Sequence, residues 1–311
     1  MNALESGRLR GRRIAVFGAT GRTGRFVVAE LGRRGWPTIV ARRDRVRLEA
    51  VALMHAPESL VRVARVDAPA SLDDALAGAG AVINCAGPFL DTAPAVLDAA
   101  IRAGIHYVDV TAEQAAAART LESYAKAAAE VGVVVVPAVG FYGGLADLLA
   151  TAMLGDWPAC DEILVAVALD SWHPTPGTRL TGERNTIPRV IYTEGELQPA
   201  GDNAAERSWD FPPPFGSQPV VLVPLSEIIT ANRHRDGGRA LRRDHISGRV
   251  GPRGHHDLAS RHTTAGRCPT GHPLRRSPCL PERARQAGGR ERVRTGCPLS
   301  RDRSTIASRD G

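Results

Sequence analysis

The sequence predicts an α/β protein: a doubly wound parallel sheet, then an incomplete α+β second domain, then a disordered tail. Three observations carry that reading. Short apolar runs alternate with helical patterns from about residue 14 to residue 136. The alternation changes character after about residue 140. Beyond Asn232 there is no Phe, Tyr, Trp, Met or Lys, while Arg, Gly, Pro, Ser and His dominate. The expected domains are therefore 1–140, 141–232 and 233–311.

Charge follows the same division. The 311 residues carry a net charge of +7, but 1–232 hold 21 basic and 26 acidic residues, a net of −5. Residues 233–311 hold 19 arginines against 7 acids, so the basic character belongs to the tail alone. Lys126 is the one lysine, a bias expected of a GC-rich coding sequence. A GC-rich gene read out of frame would give such a tail, and a frame shift near Asn232 is the expectation here. The tail has no aromatic residues to stack on bases, so no nucleic-acid partner is expected. No apolar run approaches membrane-spanning length, and residues 1–13 hold no apolar core of a secretory signal. The five cysteines show no paired spacing, which points to reduced thiols in a cytoplasm. No metal set is expected.

The first strand is expected at 14–17, running into Gly18-Ala19-Thr20-Gly21-Arg22-Thr23-Gly24 and then a helix over about 23–34. Strand, glycine-rich turn and helix in that order make a dinucleotide phosphate loop. Gly18 allows the tight turn, Gly21 lets backbone N–H groups approach a pyrophosphate, and Gly24 lets the helix pack closely. The helix N-terminus faces the phosphates with unpaired N–H groups and a positive dipole end. Thr20 and Thr23 add hydroxyl donors.

The second strand is expected at 38–41, followed by Arg42-Arg43-Asp44. NAD sites carry an acid at this strand end to bind the ribose 2′-OH. Arg42 and Arg43 stand there instead and suit the 2′-phosphate of NADP, so NADP is the expected cofactor. Asp44 reads as the N-cap of the next helix. A third strand is expected at 60–66, and Asp67 just beyond it is placed to bond the adenine amino group or to make a turn before Pro69. Ser71 and Asp74 predict a capping box for a short helix ending at Gly78. The fourth strand, at 81–85, leads into Ala86-Gly87-Pro88, a turn of small residues where the nicotinamide ribose would lie close. A helix is expected over 94–103 with Pro94 in its first turn. The fifth strand, at 106–110, precedes an alanine-rich helix over 112–130 and a sixth strand at 133–136. This is a Rossmann-type sheet.

In the second domain a helix is expected at 145–154, a strand at 161–170, a helix or turn at 178–182, and strands at 187–193 and 220–223. His106, Tyr107, Asp109, Glu113, Tyr142 and His173 are the candidate acids and bases, with no catalytic assignment among them. Tyr124 and Lys126 are two residues apart, so on a helix they point apart and do not form a catalytic pair.

Gly18–Gly24, Arg42, Val82-Ile83-Asn84-Cys85-Ala86-Gly87-Pro88-Phe89 and 106–113 resemble the saccharopine dehydrogenase-like NADP-binding domain proteins, a group that includes trans-acting enoyl reductases. Pro137-Ala138-Val139-Gly140-Phe141 continues the resemblance, and Asp147 alone is kept of the acids that usually follow. Residues 233–311 resemble no part of the family. The resemblance implies the fold and the NADP cofactor; the expected function is an NADP(H)-dependent oxidoreductase moving hydride to or from a carbonyl, imine or enoyl group of a small-molecule or acyl substrate. The alternatives are a non-catalytic NADP-binding module and an inactive truncated product.

Overall fold

The computed structural model describes residues 11–155, 162–169, 173–201, 207–233, 245–251 and 261–267. Its first half alternates strand and helix: β1 (Arg13–Phe17), α1 (Arg22–Arg33), β2 (Thr38–Arg42), α2 (Arg45–His55), β3 (Leu60–Val63), α3 (Pro69–Leu76), β4 (Ala79–Asn84), α4 (Phe89–Ala103), β5 (His106–Asp109), α5 (Gln114–Val131) and β6 (Val135–Val136). These strands form a six-stranded parallel sheet in the order β3-β2-β1-β4-β5-β6. The Rossmann-type expectation holds.

Side chains alternate across a strand, and here both faces are covered. Ala15, Phe17, Ile39 and Ala41 pack with Leu72, Leu76, Val96 and Leu97 of α3 and α4. Val16 and Val40 point the other way and pack with Val28, Leu48 and Val51 of α1 and α2. That two-sided burial is why β1 and β2 read as continuous apolar runs.

Several boundaries differ from expectation for identifiable reasons. α3 begins at Pro69, and Ser71 is no cap: its hydroxyl donates to Ala68 O while its oxygen accepts from Arg65 N. α4 begins at Phe89, five residues earlier than expected, so Pro94 lies inside it. β3 stops at Val63, before the Arg65–Ala68 turn. β6 keeps two residues because Val133 N closes the end of α5 on Ala128 O and Val134 N donates to His106 Nδ1.

A single π-helical turn, Phe141–Leu145, leads into α6 (Ala146–Leu154). Then come β7 (Glu162–Ala168), α7 (Pro176–Arg184), β8 (Val190–Thr193), β9 (Glu196–Pro199), β10 (Arg207–Phe211), β11 (Gly216–Leu222), α8 (Glu227–Arg233), β12 (His245–Gly251) and β13 (Arg261–Arg267). The second sheet runs β10-β11-β12-β7-β13, with β8 on β12 and β9 on β8. The sequence reading placed no element at β12 or β13; the rest of 233–311 lies outside the described residues, and with it most of what was expected of the tail. The two sheets are tied through the start of α5. Gln114 donates to Val190 O (2.8 Å) and Leu225 O (3.0 Å) and accepts from Val190 N (2.8 Å). Ser226 Oγ donates to Thr111 O at 3.0 Å. Among the described residues no helix is long and apolar enough to cross a membrane.

Candidate functional site

The glycine-rich loop sits at the carboxyl end of β1, between β2 and β4. Gly18 has φ +85°, and its N–H donates to Ala41 O at 2.9 Å. A Cβ there would stand 2.8 Å from Ala86 N, so only glycine fits between the loop and β4. Gly24 has the tightest surroundings: its Cβ would overlap the Gly18 carbonyl oxygen. Gly21 is the N-cap of α1, in an extended conformation, with no side-chain cap and no acid in the first turn. The opening N–H groups of α1 therefore have no side-chain acceptor, which is the arrangement that receives a phosphate. Ala19 is fully buried under the loop, Thr20 is half-buried, and Arg22 and Thr23 are exposed at the helix start.

Arg42 ends β2 and reaches over this turn: a Cβ on Gly21 would lie 3.6 Å from its guanidinium. Arg42 is half-buried, and among the described residues no carboxylate pairs with it and no side-chain hydrogen bond holds it. Burial lowers its pKa from the ordinary value, Arg43 and Arg47 lower it further, and Asp44 opposes them with the smallest effect. A desolvated cation beside like charges is stabilised by an arriving anion. Arg43 is exposed. Asp44 caps α2 by accepting from Arg47 N at 3.1 Å. Asp67 is exposed, and Arg65 holds both its oxygens, at 2.9 and 2.6 Å, keeping its pKa below the usual range. The backbone turns here, with Ala68 N donating to Arg65 O at 3.2 Å, and an adenine contact would have to share the Asp67 carboxylate with Arg65.

The Ala86–Pro88 turn is framed by a buried polar network. Ala86 N donates to Asn84 Oδ1 at 3.0 Å, and the Thr92 hydroxyl donates to Ala86 O. Asn84 Nδ2 donates to the Tyr107 oxygen (3.2 Å), whose hydroxyl donates to Asp109 Oδ2 (2.8 Å). Asp109 Oδ1 accepts from Thr111 N (3.0 Å) and Ala138 N (2.8 Å). Glu113 caps α4, accepting from Phe89 N at 2.7 Å and Leu90 N at 3.2 Å. Burial raises the pKa of Asp109, Glu113 and Tyr107, while the backbone bonds to the two carboxylates oppose the rise.

Four of the six candidate acids and bases already have structural work. Tyr107, Asp109 and Glu113 belong to this network, and His106 Nδ1 accepts from Val134 N. Tyr142 is half-buried, edge-on to Phe141 with ring centres 5.0 Å apart. His173 is exposed, ahead of α7. Tyr124 bonds Asp98 at 2.9 Å and Lys126 pairs with Glu130, two separate contacts. Burial pushes the Cys85 thiol up to about 12, which keeps it protonated and unreactive. Sequence reasoning missed Thr92, Thr181 and Glu227, and gave no role to Asn84. For Asn84 a signal existed: a polar residue closing the apolar strand Ala81-Val82-Ile83.

Comparison with known proteins matches this geometry. Residues 14–136 match the family described as saccharopine dehydrogenase NADP binding domain. The chain is 32% identical over 153 residues to the saccharopine dehydrogenase-like oxidoreductase of Rattus norvegicus, covering 43% of this chain and 35% of that one. It is 29% identical over 140 residues to the trans-acting enoyl reductase of Mycobacterium tuberculosis, covering 43% and 34%. The matches thus span about a third of the length of these relatives. Among solved structures, apo saccharopine dehydrogenase (L-Glu forming) from Saccharomyces cerevisiae aligns with a TM-score of 0.55 at 18% identity, over 76% of this chain and 55% of that one. That likeness speaks to fold. The family match is confined to residues 14–136, the span of the first sheet and its helices.

Proposed function

We propose that the chain is an NADP(H)-dependent oxidoreductase that moves hydride between the nicotinamide and a carbonyl, imine or enoyl group of a small-molecule or acyl substrate. The observation that carries the reading is Arg42, a half-buried guanidinium in no ion pair among the described residues, close above Gly21 where NAD sites place an acid. The residues fit the cofactor. The 18–24 loop offers N–H groups to the pyrophosphate, Arg42 and exposed Arg43 suit the 2′-phosphate, and the Ala86–Pro88 turn lies where the nicotinamide ribose would approach. When bound, the cofactor supplies the redox chemistry, and the chain binds it, orients it and sets the local electrostatics. A cytoplasmic location is part of this reading, supported by five cysteines without paired spacing.

Titration of the chain with NADPH and NADH, followed by Trp fluorescence, is the test. NADPH is expected to bind more tightly, and Arg42→Ala is expected to weaken NADPH by about 1.5–3 kcal/mol, the scale of a hydrogen bond to a charged group. Equal affinities, or an unchanged NADPH affinity in the variant, would remove the basis of the reading. The second reading, a non-catalytic NADP-binding module or an inactive truncated product, draws support from Tyr107, Asp109 and Glu113 all being engaged in structural bonds. Cofactor binding without turnover across a panel of carbonyl, imine and enoyl compounds would favour it.

A further inference from the structure

α7 lies outside the family match, yet it reaches the cofactor edge of the first sheet. It buries none of its residues, so no apolar packing of its own fixes it there. Its N-cap, Thr175, accepts from Thr178 N at 3.1 Å, a bond internal to the helix. At its other end Arg184 Nε stands 3.1 Å from Asp91 Oδ2, in the first turn of α4. Between those ends the Thr181 hydroxyl faces the Ala86–Pro88 turn: a Cβ on Gly87 would come within 3.3 Å of Thr181 Oγ1. That hydroxyl has no hydrogen-bond partner among the described residues.

The turn itself has few polar groups left to offer. Ala86 N–H and C=O are taken by Asn84 and Thr92, and Phe89 and Leu90 N–H by Glu113. A nicotinamide lying against the turn presents a carboxamide that both donates and accepts. A threonine hydroxyl also does both. The geometry points to Thr181 as a contact residue for the nicotinamide end of the cofactor, with α7 held in place over the turn by the Arg184–Asp91 pair. This rests on the NADP reading above, and it adds a wall to the site from beyond the cofactor-binding domain.

The test compares NADPH with adenosine 2′,5′-bisphosphate, which keeps the 2′-phosphate and adenosine but lacks the nicotinamide half. Binding of both to the full chain is measured by calorimetry. Thr181→Val removes the hydroxyl at constant shape and is expected to weaken NADPH by about 3- to 10-fold, the scale of one neutral hydrogen bond. Affinity for the bisphosphate stays unchanged, and Thr181→Ser restores NADPH binding. Arg184→Asp is expected to weaken NADPH selectively as well, with recovery when combined with Asp91→Arg. Unchanged NADPH affinity in Thr181→Val overturns the proposal, as does equal loss of both ligands, which would mark Thr181 as a fold residue. If the unsubstituted chain binds neither ligand, the cofactor reading itself fails and takes this proposal with it.

Discussion

Gly21→Val is expected to abolish NADPH binding, a loss of at least about 100-fold, in a chain that still folds. The two effects separate because of where each glycine sits. Gly21 has φ −72° and ψ 169°, extended backbone that valine adopts without strain. A Cβ there meets Gly18 O at 3.2 Å and the Arg42 guanidinium at 3.6 Å, contacts a small shift relieves. The added methyl groups fill the space between the loop and Arg42, where backbone and pyrophosphate would meet. Losing charge-assisted bonds to phosphate costs about 1.5–3 kcal/mol each. Gly24→Ala is the contrast: its Cβ would overlap a backbone carbonyl, and that variant is expected to lose the fold of the loop as well as binding. Circular dichroism with NADPH titration distinguishes them. Undiminished NADPH binding by Gly21→Val would mean the phosphate loop lies elsewhere.

Glu227→Gln is expected to stabilise the chain at pH 8 and to flatten its stability against pH. Glu227 is 4% exposed at the start of α8. One oxygen accepts from Leu225 N at 3.1 Å, and Oε2 has no hydrogen-bond partner among the described residues. Burial pushes its carboxyl up to about 7 from 4.5, against the smaller opposing effects of backbone bonds and Arg189. The folded chain therefore holds this proton more tightly than the unfolded chain. The resulting stability is fully present below pH 4.5 and is lost as pH rises through about 7. The full swing is about 3 kcal/mol. Glutamine keeps the shape without the charge, so the variant should gain several degrees in melting temperature over the parent at pH 8 and little at pH 5. Because Asp109 and Glu113 are raised in the same direction, the difference between parent and variant is what isolates Glu227. Parallel curves for the two proteins would show that Glu227 ionises as it does in the unfolded chain.

The first sheet was legible because its signals are local. Two-sided burial makes β1 and β2 read as apolar runs, and the glycine spacing marks the loop between β1 and α1. Arg42 was legible as a residue type at a strand end. What escaped was set by bonds between residues far apart in the chain. α4 starts at Phe89 because Glu113, 24 positions on, accepts from its N–H. A reader of the local pattern sees only Pro94 and starts the helix there. Glu113 itself was picked out as a candidate acid or base, but its cap role depends on that same contact. Thr181 carried no signal, since α7 buries nothing and shows no apolar stripe. Glu227 looks like an ordinary acid at a helix start, and only the packing of α8 beside α5 reveals its burial.

The strand order has a consequence for synthesis on the ribosome. β1 pairs with β2, about 25 residues later in the chain, and with β4, whose partner for Phe17 is Asn84. Gly18 is walled by Cys85 and Ala86, and Cys85 N donates to Phe17 O at 2.8 Å. A nascent chain that has emerged only through α3 already contains every glycine of the loop but lacks the strand that closes it. The nucleotide seat is therefore assembled late relative to its own motif, once the long connection through β2 and β3 has folded back and β4 has slid in beside β1. Until then the free edge of β1 is an apolar, unpaired strand, a template for pairing with another chain.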